Sequence, residues 1–215
     1  IEKTARNFVN NIDVKGNSIT EEEVIRRELI FSEGDAFSRY KLEKSEDNLK
    51  SSGIFKEVKT NIKNLNNESV DIEVNVEEQP TGAISAGVGV GSSGASVSAG
   101  VSEKNLFGKG INVNSNIILG TENIKGNILT SIPDFKNTDN DLLYDFYVTS
   151  TDFENAGYES TVVGNSVAIK YDLYEDITFK PGIGINRDSI DTNSTASDLY
   201  RSREGDYLTF LTFYN

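Results

Sequence analysis

The chain has 215 residues, contains neither cysteine nor histidine and carries a formal net charge of −13. Without these residue types it cannot form disulfides, thiolate or imidazole metal sites, or the commonest catalytic nucleophile–base pairs, so we expect no enzyme, no metal site and no cofactor. The acidity disfavours nucleic acid as a partner, because phosphate backbones attract basic surfaces.

Residue usage changes near Gln79 and Pro80. Glu and Lys are abundant before this point and Gly is rare, whereas Gly, Ser, Asn and Thr form short alternating runs after it. We therefore expect two domains, residues 1–79 and residues 80–215. No run of about 18 apolar residues is present, which excludes a transmembrane helix but not transmembrane β-strands. The sequence has no Met, and we expect it to be an interior or mature part of a longer protein.

The first domain begins with the pattern of one strand and one helix. Residues 8–14 predict a short strand that ends at a Gly-Asn turn at residues 16–17. Residues 20–23 (Thr-Glu-Glu-Glu) match a capping box, in which Thr20 caps the following helix. That helix carries three apolar residues on one face, Val24, Ile25 and Leu29.

A second helix and two strands follow. Ser38 is placed to cap this helix, and Gly53 is placed just after its C-terminus. Residues 55–62 and 70–76 predict two strands, which a hairpin turn at residues 64–67 would join. Apolar and polar residues alternate in the second of these strands, which is typical of a sheet with one face in water.

This order of strand, helix, helix, strand, strand resembles a POTRA domain. The run Ser-Gly-Ile-Phe-Lys-Glu-Val at residues 52–58 adds to the resemblance, which covers residues 1–79. It implies a periplasmic α+β module that binds unfolded outer-membrane proteins or partner subunits by adding a strand to an exposed sheet edge. The alternative is a spacer with no binding role. The expected edge strand consists of Phe55, Lys56, Glu57, Val58, Lys59, Thr60, Asn61 and Ile62.

The second domain alternates between apolar and small or polar side chains, in segments of about ten residues. The clearest segments are 81–90, 96–102, 111–119, 163–173 and 177–185, and weaker ones are 124–132, 142–153 and 207–214. We therefore expect about eight antiparallel β-strands, each with one apolar face.

Such strands fit either a membrane-spanning barrel or a soluble β-sandwich. The connections at residues 92–94 and 174–176 are short, whereas those at residues 133–141 and 188–205 are long and polar. We interpret this difference as a short-turn side opposite a long-loop side, which favours an outer-membrane barrel.

Three short motifs predict no further chemistry. Residues 89–94 match the G-x-G-x-x-G pattern, but they lead into a strand and not into a helix that could hold a pyrophosphate. Residues 38–41 match S-x-x-K at a helix start, where Ser38 is a cap. The acidic run at residues 139–141 lacks the ligand spacing of a calcium loop.

Two motifs in the second domain resemble the BamA family. Residues 102–110 (Ser-Glu-Lys-Asn-Leu-Phe-Gly-Lys-Gly) are similar to the turn that joins the second and third barrel strands in that family. Residues 131–135 contain its Pro-x-Phe segment, which follows the fourth strand. The resemblance implies a last POTRA domain followed by the N-terminal part of an antiparallel transmembrane β-barrel, which would be incomplete here. The turn-motif residues are Asn105, Leu106, Phe107, Gly108 and Gly110.

The resemblance implies a function as well as a fold. BamA-like proteins assemble and insert β-barrel proteins in the bacterial outer membrane, so unfolded outer-membrane proteins, other assembly subunits and outer-membrane lipid are the expected partners. In the family the first barrel strand forms a lateral gate, and glycine would weaken its pairing. The glycines could instead serve wall curvature or close packing. The gate residues expected here are Ala83, Ile84, Ser85, Ala86, Gly87, Val88 and Gly89.

Two other functions stay open from the sequence. One is a related POTRA-barrel protein that translocates or secretes its substrates. The other is a soluble surface or adhesion module with a β-sandwich, which would need no detergent to stay in solution.

Overall fold

The computed structural model describes residues 7–65, 68–91, 94–174 and 177–214. The chain forms two compact units, of which the first contains Ile1–Thr81 and Lys104–Ile111 and the second contains Gly82–Glu103 and Asn112–Asn215. Part of each short connection expected at residues 64–67, 92–94 and 174–176 lies outside the described residues.

The first unit has the expected order of elements. They are β1 (Phe8–Lys15), α1 (Glu22–Arg26), α2 (Arg39–Ser51), β2 (Phe55–Asn64) and β3 (Ser69–Glu78). The three strands form one sheet in the order β1-β3-β2, in which β1 is parallel and β2 antiparallel to the central β3. One side of β3 is buried and the other is half-exposed, as its alternating sequence predicts.

The capping box predicted at residues 20–23 does not form. Glu21 is the N-cap residue of α1 and makes no side-chain cap hydrogen bond. Thr20 is instead buried, and its backbone N–H donates to the Glu78 carboxylate. The helix ends at Arg26, so the buried Leu29 lies beyond it. Tertiary contacts to Thr20 therefore override the local capping pattern.

The second helix follows its sequence pattern. The backbone N–H of Lys41 donates to Ser38 Oγ at 3.4 Å, as expected for a helix cap. The helix buries Leu42 and Leu49 against the sheet, and Gly53 follows its C-cap residue. The core of the first unit comprises Val9, Ile12, Val24, Ile25, Leu29, Phe31, Leu42, Leu49, Ile54, Phe55, Val58, Ile72, Val74 and Val76.

The second unit is built of antiparallel strands. They are β4 (Gly82–Gly91), β5 (Gly94–Leu106), β6 (Ile111–Gly120), β7 (Asn123–Ile132), β8 (Asp141–Phe153), β9 (Tyr158–Tyr174), β10 (Ile177–Phe179), β11 (Gly182–Thr192) and β12 (Gly205–Phe213). A 3-10 turn at Glu154–Ala156 and a short helix, α3 (Asp198–Arg201), lie in two connections. The strands form one sheet in the order β12-β11-β9-β8-β7-β6-β5-β4, with β10 paired to β9.

The strand expected at residues 177–185 is divided at Pro181. Proline has no backbone N–H and interrupts a strand, so the described residues of the second unit form nine strands where about eight were expected. The loop expected at residues 188–205 begins later than predicted, because β11 continues to Thr192 and pairs there with β9.

The two long connections lie at opposite ends of the sheet. Connections of an up-and-down sheet alternate between its two ends, and three strands separate the loop before β8 from the loop before β12: β8, β9 and the strand that Pro181 divides into β10 and β11. The expectation that both long loops share one side was therefore wrong. The barrel interpretation has to rest on other features.

The second unit has almost no water-excluded interior. Ala168 and Ala196 are its only buried hydrophobic residues among those described, whereas many of its large apolar side chains are exposed. A soluble β-sandwich needs two sheets that pack their apolar faces together, and the described strands of this unit form a single sheet. The sandwich alternative is therefore wrong. Within the described residues, no helix is long and apolar enough to cross a membrane.

We predict that Leu49→Ala destabilises the first unit by about 2–5 kcal/mol, because it leaves a cavity in a close-packed core. Leu49 is 0% exposed, whereas Leu65 is 53% exposed, so Leu65→Ala is the matched control. Urea unfolding followed by the helical circular dichroism signal measures both. Equal midpoints for the two variants would contradict this account of the core.

Candidate functional site

The first strand of the second unit, β4, is an edge strand whose side chains are all exposed. Among the described residues it pairs only with β5. Ile84 is 84% exposed and Val88 is 89% exposed, so neither side chain is covered by another part of the described chain. All seven expected gate residues lie in this strand.

Register separates the two faces of the β4–β5 pair. Ile84 lies opposite Val101 and Val88 lies opposite Val97, which makes one face apolar. On the other face, small and polar residues face one another in the pairs Ala83 with Ser102, Ser85 with Gly100, Gly87 with Ser98 and Gly89 with Ser96.

The glycines on this second face are not required by lack of space. A Cβ atom added at Gly87 would lie 2.9 Å from Ser98 Oγ, and one at Gly89 would lie 3.1 Å from Ser96 Oγ. A serine hydroxyl can rotate away at little cost, so alanine would fit at either position. What the glycines do is leave this stretch of strand with few side chains to stabilise its pairing.

The expected edge strand of the first unit is β2, and the structure places it at the edge of its sheet. Phe55 and Val58 point into the core and are buried, so they cannot contact a partner directly. The other six expected residues are exposed or half-exposed. This edge can therefore offer its outward backbone groups and those six side chains.

The turn motif between β5 and β6 belongs to the first unit. Asn105 is only 8% exposed, and its side chain bonds in two directions. Its Nδ2 donates to Thr20 Oγ1 at 2.9 Å, and its Oδ1 accepts from the backbone N–H of Gly110 at 2.7 Å. The backbone N–H of Glu21 donates to the Gly108 carbonyl at 2.8 Å. We call this set of contacts the turn clasp.

Gly108 is required by close approach of backbone, and Gly110 by its backbone conformation. A Cβ atom at Gly108 would lie 2.1 Å from the Ile19 carbonyl oxygen, and one at Gly110 would lie 2.1 Å from Arg27 Nη2. Both glycines also have positive φ angles, of 74° and 63°, which other residues rarely adopt. Phe107 of the same motif is exposed.

Glu78 holds the loop that carries Thr20. Its carboxylate accepts hydrogen bonds from the backbone N–H groups of Ser18, Ile19 and Thr20 and from the Ser18 hydroxyl. Burial alone would raise the pKa of Glu78, but the bonds from Ser18 and Thr20 outweigh it and lower the pKa to about 2. Glu78 therefore stays charged and fixes the loop for the turn clasp.

Sequence reasoning placed the turn motif correctly between two strands but missed its partners. Thr20 has the pattern of a helix cap, and Glu78 is one of several acids near the end of a strand. Neither has a local signal for a contact with residues 105–110. Among the described residues, no group of three or more acidic side chains is placed to hold a metal ion.

Asn105→Ala should destabilise the first unit by about 1–3 kcal/mol, because it leaves the Thr20 hydroxyl and the Gly110 N–H buried without this partner. Asn61 lies exposed on β2, so Asn61→Ala is the control and should change stability by less than about 0.5 kcal/mol. Thermal unfolding of both variants tests this. A harmless Asn105→Ala would contradict the turn clasp.

Glu78→Gln should cost about 1.5–3 kcal/mol at neutral pH, because it removes a charged hydrogen-bond acceptor. The folded-state pKa of Glu78 is about 2, below its ordinary 4.5, so its stabilisation is full above about pH 4.5 and is lost as pH falls towards 2. The difference in unfolding free energy between wild type and variant should shrink over that range.

The neighbouring Glu77 supplies the control for this pH series. It forms an exposed ion pair with Lys56 at 2.6 Å, and Glu77→Gln should cost at most about 1 kcal/mol. A wild-type-to-Glu78→Gln difference that stays constant with pH would rule out this role for the carboxylate.

One known protein family matches the sequence of the first unit. The POTRA family, described as "Surface antigen variable number repeat", matches residues 8–79. This range includes all of β1 to β3 and both helices between them.

Comparison with known sequences extends over the whole chain. An outer membrane protein assembly factor BamA from Nitratidesulfovibrio vulgaris is 28% identical over 214 residues, which cover 97% of this chain and 26% of the relative. BamA from Buchnera aphidicola is 31% identical over 200 residues, which cover 88% and 32%. The chain thus spans about a quarter to a third of the length of these relatives.

Solved structures show the same fold. BamA from Haemophilus ducreyi lacking POTRA domains 1–3 matches 97% of this chain and 42% of its own, with a TM-score of 0.78 and 23% identity. CdiB from Acinetobacter baumannii matches 90% and 40%, with a TM-score of 0.61 and 14% identity. The resemblance to the BamA family is thus confirmed: residues 8–79 are a POTRA domain, and the antiparallel sheet that follows has the fold of part of a BamA barrel.

Proposed function

We propose that this chain is part of an outer-membrane factor that assembles and inserts β-barrel proteins by pairing with their strands. The observation that carries the proposal is β4, an exposed edge strand of a sheet that has an apolar face and almost no water-excluded interior. The assembly-factor relatives, at 28% and 31% identity, support the same function.

The physical need for such an edge comes from the bilayer. A strand that enters lipid has backbone N–H and C=O groups without water to bind, and each unpaired group costs several kcal/mol. An exposed edge of an existing sheet satisfies one side of the incoming strand. The glycines of β4 leave few side chains to stabilise its pairing with any other strand, so the edge can be vacated.

The proposal gives each unit a place and partners. The sheet lies in the bacterial outer membrane with its apolar face towards lipid, and the POTRA domain lies in the periplasm. The β2 edge of the POTRA domain pairs with unfolded outer-membrane proteins or with other assembly subunits. Strand exchange of this kind needs no catalytic group, cofactor or nucleic acid.

A secretion function is the weaker alternative. The likeness to CdiB, at 14% identity, shows the fold alone and does not assign this function. The two functions differ in the product: an assembly factor leaves its substrate inserted in the membrane, whereas a secretion protein passes it across.

Disulfide trapping tests pairing at β4. The chain has no cysteine, so an introduced cysteine is its only thiol, and any disulfide adduct of the chain must form there. Ser85→Cys, an isosteric change in β4, should form a disulfide with a cysteine placed in the terminal strand of a barrel client during its assembly. Non-reducing electrophoresis measures the adduct, and the client's heat-modifiable mobility shows whether it was inserted.

The matched control is Ser131→Cys in β7. Ser131 lies on the same face of the sheet, but its strand is paired on both sides, with Asn112 and Leu143 opposite it. It should give little or no adduct. Equal trapping from both positions, or none from Ser85→Cys, would contradict strand pairing at β4.

A further inference from the structure

The two edges of the POTRA sheet are unequally protected. The edge of β1 is covered, because the Val9 N–H donates to the Asp35 carbonyl at 2.9 Å and the Val9 carbonyl accepts from Gly34 at 2.7 Å. Further along, the Ile12 carbonyl and N–H are bound by the side chains of Arg26 and Glu33. A partner strand cannot reach these backbone groups, so β1 is not an accepting edge.

The β2 edge is guarded at one point. Glu46 of helix α2 accepts the backbone N–H of Thr60 at 3.2 Å, and the Thr60 hydroxyl also donates to it. This bond shows that the Thr60 N–H points away from β3, and alternate residues of an antiparallel strand share that direction. Within residues 55–62, all of which are described, Thr60 is the one residue whose backbone N–H is bound by a side chain.

Glu46 can leave this position at low cost. Its other carboxylate oxygen lies 3.4 Å from Lys50 Nζ, one helical turn away on α2. When the Thr60 bond breaks, the carboxylate keeps a cationic partner and is not left as an unpaired buried charge. A carboxylate that keeps Lys50 as a partner can give up the Thr60 N–H to a partner's backbone carbonyl.

We propose that Glu46 is a displaceable guard of the β2 edge: a barrel-type strand pairs with β2 only when its backbone carbonyl replaces the Glu46 carboxylate at the Thr60 N–H. The occupant is an extended strand, because what the edge offers is a row of outward backbone groups, and the proposed function makes it the alternating apolar and polar strand of a barrel client. This inference rests on the proposed strand-pairing function. It adds a residue that restrains pairing, so that the unoccupied edge does not aggregate.

The test uses the full chain in detergent and a synthetic peptide that copies residues 163–173, a strand with this alternation. Glu46→Ala should bind the peptide about three- to tenfold more tightly than the wild type, because the peptide no longer has to replace the hydrogen bond from the Thr60 N–H to Glu46. Fluorescence anisotropy of the labelled peptide measures affinity. Hydrogen exchange at the Thr60 amide should also be faster in this variant.

Two variants serve as controls. Glu43→Ala removes the same charge one turn earlier on α2, where Glu43 pairs with Arg39 and is exposed, so peptide affinity should not change. Thr60→Pro removes the outward donor and should weaken binding. A proline is tolerated there because this N–H takes no part in the β2–β3 pairing. Circular dichroism confirms folding of each variant.

The outcomes distinguish the guard role of Glu46 from strand pairing at the β2 edge. Equal affinity of wild type and Glu46→Ala, with weaker binding by Thr60→Pro, would overturn the guard and retain pairing at β2. If neither the wild type nor Glu46→Ala binds the peptide, or if Thr60→Pro binds it undiminished, strand pairing at this edge is wrong and the guard with it.

Discussion

Backbone hydrogen-bond pairing is the constraint on which both units depend. An open β-sheet ends in two strands whose outer N–H and C=O groups lack a sheet partner, and those groups must be covered, left in water or paired with another chain. The POTRA sheet covers β1 with backbone and side-chain bonds and leaves β2 largely open. In the larger sheet, the described strands leave the outer side of β4 without a partner. The proposed activity uses these same open edges.

The turn clasp gives the BamA-type turn motif a physical explanation. A turn between two strands needs only residues that can reverse the chain, and many sequences meet that need. Here Asn105 is buried and hydrogen-bonded at both its amide nitrogen and its amide oxygen, Gly108 has no room for a side chain, and Gly110 has a positive φ angle of 63°. Such demands arise because the turn packs against the loop that Glu78 holds in place. The motif is therefore a packing motif as much as a turn motif.

Sequence reasoning succeeded where local patterns decide the structure. Strand alternation gave the POTRA strands and most strands of the larger sheet, and Ser38 gave the start of α2. It failed where residues distant in sequence bind the same groups. Thr20 does not cap α1, because its backbone N–H binds Glu78 and its hydroxyl binds Asn105. The inference from loop lengths failed because connections alternate between the two ends of the sheet, which places the two long loops at opposite ends. Glu46 has no sequence signal, because only the fold brings it to Thr60.

Under the proposed function, the small side chains of β4 would suit this strand for exchange, because they add little to its pairing. A strand rich in large β-branched residues would gain cross-strand packing, and each pair would add a few tenths to about 1 kcal/mol that an incoming strand must overcome. Gly87 and Gly89 face serines, so these pairs contribute little, although alanine would fit. Space does not require glycine there, and the proposed strand exchange would benefit from weak pairing at these positions. The opposite face keeps Ile84 and Val88, which suit an apolar surrounding. One strand thus combines an apolar face with an edge that, among the described residues, pairs with β5 alone.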